Sequence, residues 1–130
     1  HYHFGIGALP RDVGELLRNY DLALMVYDYQ GNVLGEGHFR LLIPAKVFMY
    51  LEAGLPLLVS RRAQATANFA EEHGFGVGVS DEQLRAFPTF LRGLNVDALR
   101  RGVLKARETL SMDAQVVRLI ELYASIRSAA

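Results

Sequence analysis

Two short apolar runs that alternate along the chain with segments of helical spacing constrain the fold of this 130-residue chain most strongly. The runs occupy residues 22–27 and 55–60. Unbroken apolar runs of this length are typical of strands whose two faces are both covered by helices in a parallel sheet. Strands that alternate with helices indicate βαβ units with right-handed crossovers. We therefore predict an α/β fold with a Rossmann-like parallel sheet and flanking helices, to which residues 75–79 contribute a further strand.

Local capping signals predict most of the helix boundaries. Pro10 and Pro44 each indicate the first turn of a helix, where the missing N–H costs nothing. Gly54 suits the left-handed position that follows a helix end, and Gly74 is predicted to end the helix over residues 63–73. Three further helices are predicted to begin at the capping residues Ser80 (with Gln83 as a capping box), Asn95 and Ser111.

The helix after Ser111 carries apolar side chains at helical spacing. They are Val116, Leu119, Ile120, Tyr123 and Ile126. Such a stripe is typical of a helix that buries one face. It could also form an interaction surface, but we predict that it packs on this domain.

The connection between residues 28 and 43 is predicted to be a long glycine-rich loop, and unpatterned connections of this length are often functional. Ligands of parallel sheets bind at the carboxyl ends of the strands, where this loop begins. Arg40 could bind an anion, and His38 or Glu36 could contact a ligand beside Gly37. The same charges would also suit a solvated surface loop.

The helix that begins at Pro44 is the second candidate element. The N–H groups at its first turn, together with the helix dipole, would attract a diphosphate at Ala45 and Lys46. Lys46 could equally be a solvated helix residue. Asp28 ends the first apolar run, where it could contact a ligand or simply form a turn.

Composition excludes several classes of function. The 14 basic and 14 acidic residues balance, which argues against a nucleic-acid-binding protein that neutralises phosphates. The chain has no cysteine, so disulfides and zinc–thiolate sites are excluded. No apolar run approaches the length of a membrane span.

Residues 44–60 carry the most specific pattern, Pro-Ala-Lys-Val-Phe-Met-Tyr-Leu-Glu-Ala-Gly-Leu-Pro-Leu-Leu-Val-Ser. This segment resembles the "Pro-x-Lys-hydrophobic-Phe-x-Tyr-Leu-x-x-Gly-x-Pro" stretch of glycosyltransferases built from two Rossmann-like domains (GT-B), particularly their large retaining group. Residues 20–24 and 73–84 are similar to other segments of that family, in the same order. The resemblance covers nearly the whole chain.

The resemblance implies a glycosyltransferase whose carboxy-terminal domain, here residues 1–130 as one partial domain, binds a nucleotide-diphosphate sugar as substrate, without a cofactor or metal. Its main partner would be the amino-terminal acceptor-binding domain of the same protein. A second copy and a membrane surface are further partners that the resemblance allows. It implies a cytoplasmic location, at the inner face of the membrane for a lipid acceptor. The implied donor-binding residues are Asp28, Gly37, His38, Arg40, Ala45, Lys46 and Met49.

Two departures from the family pattern keep alternatives open. Residues 1–130 would match only strands 3 to 6 of a sheet ordered 3-2-1-4-5-6, so the isolated chain is expected to be inactive. Leu41 and Met49 occupy the positions at which retaining members carry two glutamates. The chain could therefore be a non-catalytic binding or assembly module. A flavodoxin-like regulatory domain, matched by fold only, is a third interpretation.

Overall fold

The computed structural model describes residues 10–27, 29 and 35–129 of the chain. The sequence also predicts the end of a strand over residues 4–7, and this segment and the candidate ligand Asp28 lie outside the described residues. The side chain of Glu36 lies outside them as well.

The described residues form a three-stranded parallel sheet with flanking helices, as the sequence predicts. The strands are β1 (Ala23–Met25), β2 (Leu57–Ser60) and β3 (Gly76–Val79). The helices are α1 (Pro10–Leu17), α2 (Gly35–Leu41), α3 (Lys46–Ala53), α4 (Gln64–Glu72), α5 (Asp81–Arg85), α6 (Phe87–Arg92), α7 (Val96–Leu110) and α8 (Met112–Ala129).

The strands lie in the order β1-β2-β3, which makes β2 the central one. Ala23 is in register with Leu57, and Leu58 is in register with Val77. All four residues of β2 are buried, as predicted for a strand covered on both faces. The same prediction for β1 is wrong, because Leu24 is 49% exposed and the described helices cover only the opposite face.

One hydrophobic core joins the sheet to α3, α4 and α7. Two glycines let helix and strand backbones approach closely. A Cβ atom on Gly76 would lie 2.6 Å from the carbonyl oxygen of Leu57 and 2.8 Å from the Cβ of Ala70 in α4. A Cβ atom on Gly102, in the middle of α7, would lie 1.8 Å from the carbonyl oxygen of Gly74.

The predicted helix ends are confirmed where short-range chemistry sets them. Gly54 and Gly74 both have positive φ angles, 86° and 72°. Ser80 and Gln83 form the complete capping box. The side chains of Asn95 and Ser111 accept hydrogen bonds from the backbone N–H groups three residues later, at 3.0 and 3.2 Å.

The predicted loop between residues 28 and 43 is partly helical, which corrects the sequence-based prediction. Residues 35–41 form α2, so Gly37, His38 and Arg40 lie on a helix and not in an irregular loop. Tertiary packing explains the difference: Phe39 is buried, α2 lies against α4, and the Thr66 hydroxyl donates to the carbonyl of Leu42 at 2.7 Å.

The prediction that the last helix packs on the domain is also wrong. Helix α8 lies chiefly against α7, and its apolar side chains are exposed. A helical stripe in a sequence indicates that one face is apolar, but it does not say which surface covers that face. Among the described helices, α8 included, none is both long and apolar enough to cross a membrane.

Candidate anion-binding site

An open depression of about 480 Å³ lies at the carboxyl end of β2. It is lined by Gly37, Arg40, Arg61, Arg62 and Gln64. Residues from α2 therefore meet residues that follow the central strand, on the edge of the sheet where parallel α/β folds bind ligands.

The turn from β2 into α4 is fixed by its own hydrogen bonds. The buried Ser60 hydroxyl accepts from the N–H of Arg62 at 3.3 Å, and its carbonyl accepts from the N–H of Ala63 at 2.9 Å. The N–H of Arg61 donates to the carbonyl of Val79 in β3. Helix α4 begins one residue later, at Gln64, so its positive amino-terminal end lies at the depression.

Arg61 also closes the outer edge of β3. Its guanidinium pairs with Glu71 at 2.8 Å, and its side chain crosses the strand over Gly78, where a Cβ atom would come within 3.0 Å of it. The Glu71 carboxylate accepts from the N–H of Gly78 at 2.9 Å. The Val79 carbonyl accepts its hydrogen bond from the side of β2. Because successive residues of a strand direct their N–H and C=O groups to opposite sides, the Gly78 N–H points away from β2. Arg61 thus has a structural role beside any ligand-binding one.

Arg62 joins the carboxyl ends of all three strands. Its guanidinium donates to Asp81, just after β3, at 2.6 Å. It also lies over the ring of Tyr29, beyond the end of β1, at 5.6 Å from the ring centre. The sequence places the candidate site where these strand ends meet, and the contacts of Arg62 confirm that they do meet.

Arg40 has the weakest protein partner of the three arginines. Its guanidinium donates to the side-chain oxygen of Gln64 at 3.4 Å, near the upper limit for a hydrogen bond. Within the described part of the chain, no carboxylate pairs with it. An exposed guanidinium without a counter-charge, at the edge of a depression, is suited to binding an anion with its forked donors.

An aromatic cluster adjoins the arginines on the side of α3. The ring of Phe39 lies 4.8 Å from that of Tyr27 and 5.4 Å from that of Tyr29, and the Lys46 ammonium lies 5.4 Å from the Tyr27 ring centre. Burial raises the pKa of the Tyr27 hydroxyl, with further contributions from Tyr29 and Tyr50, so it stays a neutral donor at physiological pH. The buried hydroxyl of Tyr29 has no hydrogen-bond partner among the described residues.

The remaining residues that the sequence singles out lie in different places. Lys46 begins α3, but the N–H groups of Val47 and Phe48 in its first turn already donate to the carbonyls of Pro44 and Ala45, at 3.0 and 3.1 Å, so the predicted anion contact at this helix end is not open. His38 is exposed and meets the Phe39 ring edge-on. Met49 does not join the arginines: it lines a separate depression between α1 and α3. Leu41 is 85% exposed.

The rule that ligands bind at the carboxyl ends of parallel strands includes residues 60–64 in the candidate edge, but it does not single out Arg61, Arg62 or Gln64. Two consecutive arginines directly after a fully buried strand and before a helix are the signal that could have found them. Their meeting with Arg40 depends on the packing of α2 against α4, which no local pattern reports. Within the described residues, no three His, Asp or Glu side chains lie close enough together to hold a metal ion.

Comparisons with known proteins return no matching family model, no matching curated protein and no matching solved structure. The functional argument therefore rests on the residues of this chain and on the sequence pattern of residues 44–60.

Proposed function

We propose that this chain is the donor-binding part of a glycosyltransferase and that it binds the diphosphate of a nucleotide sugar at the carboxyl edge of its sheet. The observation that carries the proposal is the depression in which Arg40, Arg61 and Arg62 converge at the amino-terminal end of α4. Guanidinium groups and a helix amino terminus are the two protein features that best complement a phosphate group.

The three arginines would not contribute equally. Arg61 and Arg62 already pair with Glu71 and Asp81, so those carboxylates hold them in place and offset part of their charge. Arg40 keeps its positive charge for the ligand. We therefore assign the main diphosphate contact to Arg40, with Arg62 as a preorganised second contact.

Lys46 and the aromatic cluster extend the proposed site toward α3. The Lys46 ammonium over the Tyr27 ring, which neighbours Phe39, adds a further positive group to the three arginines. The rings of Tyr27 and Tyr29 offer apolar faces and phenolic hydroxyls, which suit a sugar or a nucleobase. In the intact enzyme, these cations would stabilise the departing diphosphate in the transition state.

A non-catalytic binding module is the second candidate. It is favoured by Leu41 and Met49, which stand where retaining glycosyltransferases carry glutamates. Neither side chain can accept a hydrogen bond from a ribose hydroxyl, and neither lines the arginine depression. Nucleotide binding is common to an active donor domain and to a module that has kept its site, so only turnover in a protein that also holds the acceptor-binding domain separates them.

Isothermal titration calorimetry with UDP, GDP, CDP and ADP tests the proposal on this chain. We expect one nucleotide class to bind, and Arg40→Ala to weaken that binding by about 10- to 100-fold through the loss of a charge-assisted contact. Arg101→Ala, which removes an exposed arginine of α7, is the matched control and should leave the affinity unchanged.

Two results would count against the proposal. The first is a folded wild-type protein that binds none of the four nucleotides at millimolar concentration. The second is binding that falls equally in Arg40→Ala and Arg101→Ala, since this would indicate unspecific attraction to positive charge.

A further inference from the structure

Helix α8 presents an apolar stripe that no other element in the described ranges covers. The stripe consists of Met112, Val116, Leu119, Tyr123 and Ile126. These side chains are between 40% and 77% exposed. Monomeric soluble proteins rarely leave contiguous apolar surface of this kind in water. The stripe therefore indicates a surface that another molecule covers.

The spacing of the stripe identifies the kind of surface. Successive members are separated by four, three, four and three residues, which is the a/d alternation of a heptad. The exposed side chains of Ile120 and Leu122 widen this face on its two flanks. An apolar face that keeps heptad spacing fits packing against a second helix along a seam.

The charges beside the seam favour one arrangement. Asp113, Ile120 and Arg127 occupy the same heptad position, e, on one flank of the stripe. In an antiparallel pair of identical helices, e positions face e positions. Asp113 then lies opposite Arg127 of the second copy, and Ile120 lies opposite itself. A parallel pair would instead oppose e to g positions, where α8 offers no pair of opposite charges.

We propose that α8 binds α8 of a second copy of this chain as an antiparallel two-helix contact. Val116 packs against Ile126 of the second copy, and Leu119 packs against its Tyr123. The contact is isologous, so every interaction occurs twice about a two-fold axis near Glu121. The α/β bodies, attached at the Met112 ends, lie at opposite ends of the helix pair. This pairing does not depend on what the anion site binds.

The charge of α8 argues against a membrane surface as the occupant. Asp113 and Glu121 balance Arg118 and Arg127 along the helix. Amphipathic helices that lie on anionic bilayers are instead rich in Lys and Arg on their polar face. A second copy would cover the apolar stripe and would place an opposite charge beside each flanking charge.

Sedimentation velocity across a concentration series tests the contact. We expect a dimer with a dissociation constant on the order of 10–100 µM, because the interface is short. Leu119→Asp should abolish it while circular dichroism shows an intact fold, since α8 is exposed. Glu121→Arg, on the outer side of α8, is the control and should dimerise as the wild type does. A wild-type chain that stays monomeric at about 500 µM would overturn the proposal.

A charge-reversal cycle tests the arrangement. Asp113→Arg and Arg127→Asp should each weaken the dimer by about 3- to 10-fold, and the double variant should return to within about twofold of the wild type. If the single changes acted only on the ends of the helix, the double variant would be weaker than either. That result would contradict the antiparallel pairing.

Because the chain has no cysteine, single cysteines report the geometry directly. Leu122→Cys lies next to the two-fold axis and should form an intermolecular disulfide under mild oxidation. Gln115→Cys occupies the same heptad position, but its two copies would be about 18 Å apart along the helix axis and should not cross-link. Efficient cross-linking at residue 115 and none at residue 122 would refute the antiparallel register.

Discussion

Helices α7 and α8 follow one another in the chain, yet α7 buries apolar side chains whereas those of α8 are exposed. Helix α7 buries Leu99, Val103 and Ala106 against the sheet. Helix α8 carries more large apolar side chains than α7 and leaves them in water. Apolar content therefore does not decide which of the two helices enters the core.

The difference lies in the shape of the two helix surfaces. Gly102 removes the side chain at the point where α7 meets Gly74, so the two backbones touch and the flanking residues reach the core. Helix α8 has no glycine, and its apolar stripe consists of large side chains that keep its backbone away from a neighbouring element. A helix is therefore buried where its surface fits the sheet, whereas an apolar helix without such a fit needs a different partner.

The largest effect is expected at the point of closest approach. Gly102→Ala would place a Cβ atom 1.8 Å from the Gly74 carbonyl oxygen, so the backbone must move. We expect the free energy of unfolding to fall by about 3 kcal/mol or more, even though alanine is the better helix former. Urea unfolding followed by circular dichroism measures the change.

Gly14→Ala in α1 is the control for helix propensity. A Cβ atom there meets nothing within 4 Å, so the same substitution should stabilise the chain by about 0.5–1 kcal/mol. If Gly102→Ala also stabilised the protein, close packing would not explain how α7 differs from α8.

A pair of identical substitutions gives the next largest difference. Val103→Ala opens space in the core, because Val103 is almost completely buried, and should cost about 1.5–3 kcal/mol. Val117→Ala in α8 removes the same atoms from an exposed position away from the seam and should change stability by less than about 0.5 kcal/mol. Thermal unfolding at low protein concentration, where α8 is unpaired, compares them directly. Equal losses would mean that α8 is buried in solution.

The parts of the fold that follow from short-range chemistry could be predicted. The left-handed glycines at Gly54 and Gly74, the capping box at Ser80 and the cap at Asn95 are each read from a few adjacent residues. The central strand is equally clear, because residues 57–60 are apolar up to a buried serine.

The parts that depend on a distant surface could not be predicted. Helix α2 is rich in glycine and charge, and only the burial of Phe39 beside Tyr27 and Tyr29 and the packing of α2 on α4 reveal why it is helical. The exposure of Leu24 depends on which helices cover β1. No local sequence pattern shows whether the apolar stripe of α8 faces the core or solvent.

The candidate site divides in the same way. The carboxyl edge of the sheet and the segments that meet there follow from the alternation of strands and helices. The importance of Arg61 and Arg62 does not, because charged residues after a strand usually face solvent. Twenty-four positions separate Arg40 from Gln64, and their contact exists only because α2 lies on α4. Their role in binding a donor stays a prediction.

The most direct test of the anion site is to follow backbone amide shifts by NMR while the chain is titrated with UDP, GDP, CDP and ADP. We predict saturable amide shifts with one nucleotide class, confined to residues 37–46 and 60–64 at the carboxyl edge of the sheet. A well-folded sample whose amides do not move at millimolar nucleotide, or whose shifts centre on another surface such as α7, would contradict it.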